Sequence, residues 1–197
     1  MIWAMILAAG ESKRMGEPKL LLPYGEKTII EAVIGNVVQS KAEDILVVLG
    51  SDREKIEEKI KDLPVKVVFN PNFREGMLSS AQTGFQTLPE DTQCVLVFLG
   101  DQPAIPHDII DKVIDAYNRT KKGIVLPVYE GNRGHPVLID MKYKGEVKKL
   151  SADLGLRGVV YSHPEDIQEV EVETPSILRD IDDEDDYERE LDLKKGK

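Results

Sequence analysis

The chain has 197 residues, 41% of them hydrophobic, which is enough for one domain with a substantial core, and its formal net charge of −10 argues against a nucleic-acid partner. Nine acids against one arginine over residues 180–192 carry −8 of that charge, so the remainder holds only −2 and can still present a locally positive pocket. The single cysteine, Cys94, excludes an intrachain disulfide and, lying in an apolar run, reads as a small buried residue.

Residues 1–8 have no charged side chain and suit a strand buried on both faces, as the centre of a parallel sheet requires. This apolar start is too short to span a bilayer and has no basic leader region, so the expected location is cytoplasmic, with no membrane partner. Gly10 ends the strand and opens the loop A-G-E-S-K-R-M-G-E-P-K, in which Gly16 recurs and Lys13, Arg14 and Lys19 supply positive charge. Glycines let backbone N–H groups turn toward an anion without a Cβ in the way, so the loop is a candidate phosphate cradle. It has neither the spacing of a P-loop nor that of a dinucleotide fingerprint.

Apolar residues at helical spacing predict a crossover helix over residues 26–40, followed by a strand over 44–50. Ser51 or Asp52 is placed to cap a charged helix running to Lys61, and residues 65–69 form a third, short strand. The segment G-M-L-S-S-A-Q-T-G starts another helix, where Ser79 and Ser80 are either simple caps or contacts to a base or ribose. A fourth strand over 92–99 delivers Gly100-Asp101-Gln102-Pro103 at its carboxyl end. A carboxylate there, beside a phosphate cradle, suits Mg²⁺, which takes oxygen ligands from one or two carboxylates plus phosphates. An aspartate merely capping its own turn is the alternative.

A helix is expected from His107 or Asp108 to Tyr117, a strand over 124–128, a polar turn over 129–133 and a returning strand over 134–139. Pro136 biases His135 to an extended backbone at that strand's entrance, where it serves either as a structural histidine or as a substrate contact. Short helices follow over 142–149 and 152–159, then an edge strand over 167–172, a last short strand over 177–181 and an acidic helix over 182–193. Asp180 and Asp182 flank the start of that helix, and either is placed to supply a second carboxylate to the metal. The alternation of strand and helix predicts an α/β fold with a mostly parallel sheet, whose ligands sit at the carboxyl ends of the strands.

Five motifs in this order, L-A-A-G-E-S-K-R-M-G-E-P-K-L-L-L-P, G-M-L-S-S-A-Q-T-G, L-G-D-Q-P, R-G-H-P-V-L-I and D-I-D-D-E-D-D-Y, resemble those of the MobA-like nucleotidyltransferases, within them the branch that cytidylates molybdenum cofactor. The resemblance implies a Rossmann-like three-layer fold with a mixed, mostly parallel sheet, and one nucleotidyltransferase domain. Residues 1–103 would be mainly its nucleotide half, 104–181 its acceptor half and 182–197 an acidic helix and tail. It further implies that Leu7, Ala8, Ala9, Gly10, Ser80 and Gly100 contact the nucleotide, Arg14 and Lys19 its phosphates, Asp101 the Mg²⁺, and Gly134 and His135 the acceptor. The L-A-A-G form, through Ala9, goes with CTP rather than GTP. Where the family often has Thr-Pro after D-I-D, this chain has Asp183-Glu184, which leaves the choice between Asp180 and Asp182 open. A molybdoenzyme receiving the product is the implied protein partner. Guanylyl transfer, transfer to a sugar or alcohol phosphate, and a carrier that holds nucleotide or pterin without chemistry remain the alternatives.

Overall fold

A computed structural model describes residues 1–12 and 14–196; Lys13, counted above with the cradle's cations, lies outside the described residues. An eight-stranded mixed sheet organises the chain. Its centre is β1 (Ile2–Ala8), paired in parallel with β4 (Asp44–Leu49) on one side and β6 (Cys94–Leu99) on the other. β5 (Lys66–Phe69) extends it past β4. Beyond β6 comes β9 (Val137–Asp140), antiparallel to both β6 and β7 (Ile124–Tyr129), and then β10 (Ile167–Glu171) parallel to β7 at the edge.

Every residue of β1 is buried, and its side chains alternate between two cores. Ile2, Ala4, Ile6 and Ala8 face α1 (Ile29–Val38), α2 (Arg53–Ile60) and α4 (His107–Thr120). Trp3, Met5 and Leu7 face α3 (Met77–Thr87), α5 (Lys144–Val147) and α6 (Arg157–Ser162). This period-two division between two covered faces is why the strand is apolar throughout rather than alternating. Cys94 is fully buried, and burial pushes its thiol up to about 12, so it stays a neutral packing group.

Several boundaries differ from the expectation: α4 runs on to Thr120, β6 begins at Cys94 and β9 begins at Val137, and four further departures change the local structure. The first helix begins three residues late because Gly25, at φ +72°, turns the chain into a hairpin of β2 (Pro23–Tyr24) and β3 (Lys27–Thr28). Thr28 then caps α1, with its amide donating to Glu31 Oε2 at 2.8 Å. The polar turn after β7 contains β8 (Asn132–Arg133), which pairs back on β7. α6 starts at Arg157, five residues later than expected, and runs to Ser162, past the expected end at residue 159. Residues 177–181 make no strand: Pro175–Leu178 form a 3₁₀ turn with Thr174 Oγ1 accepting from Ser176, after which 179–183 run as an extended strap. The strap's backbone groups are spent on loops instead of a sheet. Ile177 O accepts from His135 N at 3.0 Å, and Ile181 N donates to Asp101 O at 3.1 Å.

The acidic helix α7 (Glu184–Lys195) is capped by Asp183, whose side chain accepts from Asp186 N at 3.0 Å. It is fastened to the body by Arg179 against the buried Glu190 at 3.1 Å, by Tyr187 donating to Pro23 O at 2.6 Å and by Lys194 donating to Tyr24 O at 2.8 Å. Among the described residues no helix is long and apolar enough to cross a membrane.

Gly134 is required where the chain enters β9, because a Cβ there would run into Ile177 O and the Ile177 side chain. Gly134→Ala is therefore expected to cost about 1–3 kcal/mol of stability. Gly145→Ala, where a Cβ meets open space, is expected to be near neutral or mildly stabilising. Thermal melts of both check this, with a drop of roughly 2–4 °C per kcal/mol for a chain of this size.

Candidate active site

Two cavities lie side by side at the carboxyl ends of the parallel strands, with Leu99, the last residue of β6, lining both. The first is a cleft of about 420 Å³ whose wall includes Leu7, Ala8, Ala9 and Gly10, the residues with which β1 gives way to the loop. Ser51 N donates to Ala9 O at 3.3 Å, so this backbone is tied to the neighbouring β4 loop. Arg14, Lys19, Ser80, Asp101 and Asp182 also line the cleft.

Lys19 is held at the start of a 3₁₀ turn (Lys19–Leu21), its amide donating to Ser12 Oγ at 3.2 Å. Its ammonium donates to Asp101 Oδ2 at 2.6 Å, Ile181 O at 2.7 Å and Asp182 Oδ1 at 3.2 Å. Burial acts to lower its pKa, but Asp101 and Asp182 outweigh it and hold the ammonium above its ordinary value. Lys19 is therefore a fixed positive charge. Arg14, largely exposed at the rim, reaches Asp182 Oδ2 at 3.4 Å.

Asp101 sits just past β6, with its side chain mostly buried. One carboxylate oxygen is engaged by Lys19, while the other, Oδ1, is buried and has no hydrogen-bond partner among the described residues. An orphaned carboxylate oxygen beside a second carboxylate fits a hard divalent cation, which prefers such oxygens. Of the two aspartates left open by the sequence, Asp182 shares the cleft with Asp101 and Lys19, whereas Asp180 lines the second cavity. Crowding by the protein, with Asp101 and Asp182 nearby, pushes the Asp180 carboxyl above its usual range even though the residue is exposed at the rim.

Ser80 is buried in the cleft wall, where its hydroxyl accepts from Asn70 Nδ2 at 2.9 Å. The same amide donates to Ser79 Oγ at 2.9 Å, and Ser79 is also bonded to Asn72 O and Gly76 O. Gly100 is not part of the cleft wall: its N–H donates to Leu7 O at 3.0 Å and it packs against the backbone of β1, supporting the cradle from behind. Missing from the sequence reading are Phe73 and Arg74 on the cleft, contributed by the N-P-N-F-R-E-G segment after β5, and Met77, the first residue of α3.

The second cavity, of about 480 Å³, takes Gly134 and His135 into its wall, together with Gln102, Arg133 and Arg157, which the sequence reading did not single out. His135 Nδ1 lies 3.3 Å from Val97 O, the geometry of a ring N–H donating to a carbonyl. Burial lowers its pKa, so the ring is neutral near pH 7 and Nε2 is left as an acceptor.

A parallel-based sheet with a glycine-bearing loop at the end of its central strand, and a lysine clamped between two carboxylates beside it, places a cleft of nucleotide size at the carboxyl ends of the strands, where open α/β sheets bind their ligands. Residues 4–167 match the model of the MobA-like NTP transferase domain, and the chain belongs to that family of nucleotidyltransferases. It is 30% identical over 183 residues to molybdenum cofactor cytidylyltransferase of Escherichia coli (strain K12), covering 93% of this chain and 92% of that protein. It is 26% identical over 193 residues to nicotine blue oxidoreductase of Paenarthrobacter nicotinovorans, covering 92% of each. Among solved structures it superimposes on Rv0371c of Mycobacterium tuberculosis H37Rv with a TM-score of 0.87, at 27% identity and 97% coverage of both chains. The manganese complex of Rv0371c matches with a TM-score of 0.81 at 25% identity and the same coverage.

The clamp makes a pH-dependent contribution to stability. Because the Lys19 pKa is raised on folding, its stabilisation is complete below the unfolded value near 10.5 and is lost as pH rises through the higher folded value. Lys19→Met, which leaves two carboxylates facing each other, is expected to cost about 1–3 kcal/mol at pH 7. Urea unfolding of both proteins at pH 7 and above pH 11 checks this, the gap narrowing only in the alkaline series.

Proposed function

We propose that the chain transfers CMP from CTP to the terminal phosphate of molybdenum cofactor, releasing pyrophosphate. The observation that carries this reading is the position of the Lys19–Asp101–Asp182 cluster in a nucleotide-sized cleft, one residue from a second cavity that shares Leu99. A donor in the cleft and an acceptor in the neighbouring cavity meet at that cluster. The cytidylyl assignment is supported by the L-A-A-G form of the cradle, the full-length likeness to a cytidylyltransferase and the G-H-P segment on the second cavity.

The reaction is an in-line displacement: an oxygen of the acceptor phosphate bonds to the α-phosphorus of CTP as the bond to pyrophosphate breaks. A phosphate monoester, with a second pKa near 6, is already largely ionised at neutral pH, so no general base is required. The chain's task is positioning and neutralising charge. In this reading Leu7, Ala8, Ala9 and Gly10 hold the nucleotide through their backbone, and Ser80 lies on its base or ribose side. Lys19 and Arg14 take negative charge that develops on the phosphates, and Gly134 and His135 border the acceptor. Asp101, through its unpartnered oxygen, and Asp182 would hold Mg²⁺, with Gly100 keeping Asp101 in place behind the cradle. When bound, that ion withdraws charge from the phosphate oxygens. Residues 1–103 then serve mainly the donor and 104–181 mainly the acceptor.

Pyrophosphate release by the purified chain with Mg²⁺ and molybdenum cofactor, compared across CTP, GTP, ATP and UTP, tests the proposal. CTP is expected to be preferred, and Asp101→Asn or Lys19→Met to lower kcat by about 100-fold or more. Preference for GTP would overturn the assignment of Ala9; release only with a sugar or alcohol phosphate would overturn the acceptor. Nucleotide binding without release of pyrophosphate under any condition would make the chain a carrier.

A further inference from the structure

Gln102 has no role in the chemistry above, yet it is among the most constrained side chains at the site. It is 4% exposed, it lines the second cavity, and its Oε1 is buried without a hydrogen-bond partner among the described residues. Its backbone is held on both sides. Gln102 N donates to Leu99 O at 3.4 Å, and the following Pro103, which restricts the residue before it, has its carbonyl bonded by Asn36 Nδ2 at 3.0 Å. A carboxamide fixed in a wall with an unmet hydrogen-bonding atom is uncommon in native proteins and calls for a ligand.

The surroundings specify what that ligand is. Leu126, Val137, Leu156 and Val160 give the cavity apolar surfaces suited to the faces of a planar ring. In the same wall, His135 keeps Nδ1 on Val97 O, which leaves Nε2 as an acceptor. Arg157, exposed at the rim, has no ion pair among the described residues and is available to an anionic substituent. A flat nitrogen heterocycle with N–H and C=O groups on its edge satisfies this set, whereas a sugar phosphate offers hydroxyls in place of an adjacent N–H and C=O.

We propose that Gln102 is a specificity residue that hydrogen-bonds the amide-like edge of the acceptor's pterin ring. This rests on the reading of the second cavity as the acceptor side, and it adds that the acceptor is chosen by its ring as well as by its phosphate. A carboxamide is suited to the task because it donates and accepts side by side, as the ring's N3–H and adjacent carbonyl do.

The test is direct binding to the full-length chain, followed by the fluorescence of the ligand itself, with free pterin and N3-methylpterin, in which the edge N–H is blocked. The wild-type chain is expected to prefer pterin by roughly tenfold or more, since the blocked ligand leaves a buried polar group unpaired. Gln102→Leu should bind both ligands equally and weakly. Gln102→Glu, which still accepts from N3–H, should recover the preference for pterin, an outcome that a merely unstable variant cannot produce. The proposal is overturned if the wild-type chain binds pterin no better than its methylated form, or if Gln102→Leu keeps the preference. Because no nucleotide enters the measurement, its result is separable from the transfer assay. Pterin preference without CTP turnover would fail the proposed function alone, and turnover with an indifferent Gln102 would fail this inference alone.

Discussion

The ammonium of Lys19 is the junction on which the site depends. Its three bonds, to Asp101, Ile181 and Asp182, join segments that are 82, 162 and 163 residues away in sequence. The cradle loop, the turn after β6 and the strap before α7 are otherwise separate pieces of chain. A half-buried cation surrounded by carboxylate and carbonyl oxygens fixes their relative positions while concentrating opposite charges in one small volume. The strap gains further hold from Ile181 N on Asp101 O and from Arg179 on the buried Glu190. The acidic C-terminal helix is thus more than a solvated tail: it anchors the segment that brings Asp182 to the cleft.

That junction has to sit where it does because of the sheet. β1, β4 and β6 run in parallel with their buried faces covered on both sides, so their carboxyl ends are the places where backbone and polar side chains are released together from a rigid support. Gly100, pressed against the Leu7 and Ala8 backbone, allows the turn bearing Asp101 to approach the cradle closely. Rigidity below and charge above are the two halves of one arrangement, in which donors and acceptors are prepositioned and need little reorganisation on binding.

Much of this was legible in the residues. The charge-free run of β1, the helical spacing in α1 and α4, and the glycines and cations of the loop each follow from a local rule, and all three led to the right elements. Asp101 could be singled out because charge at the end of an apolar strand has few structural uses, and Lys19 because it is one of the cations of a glycine-bearing loop. What escaped is non-local. Residues 177–181 look like a strand by composition, but Pro175 opens a 3₁₀ turn there, and the partners that take up their backbone groups, His135, Asp101 and Lys19, lie in distant segments. Gln102, Arg133 and Arg157 are unremarkable as letters; they acquire meaning only when three stretches of chain meet around one cavity. The two hydroxyls of Ser79 and Ser80 remained ambiguous for the same reason, since their partner, Asn70, lies across a loop.

The reversal of β9 carries a consequence for how such a site can change over time. In a wholly parallel sheet, only strand exits border the ligand. Here Val137, the first residue of β9, is level with Val97 near the end of β6, so an entrance, the Gly134-His135-Pro136 segment, reaches the same rim. Substitutions or insertions around the β8 hairpin can therefore remodel the second cavity while the register of β1, β4 and β6 stays as it is. One cavity can diversify while the other keeps its walls, because Leu99 is the one lining residue they share among the described residues.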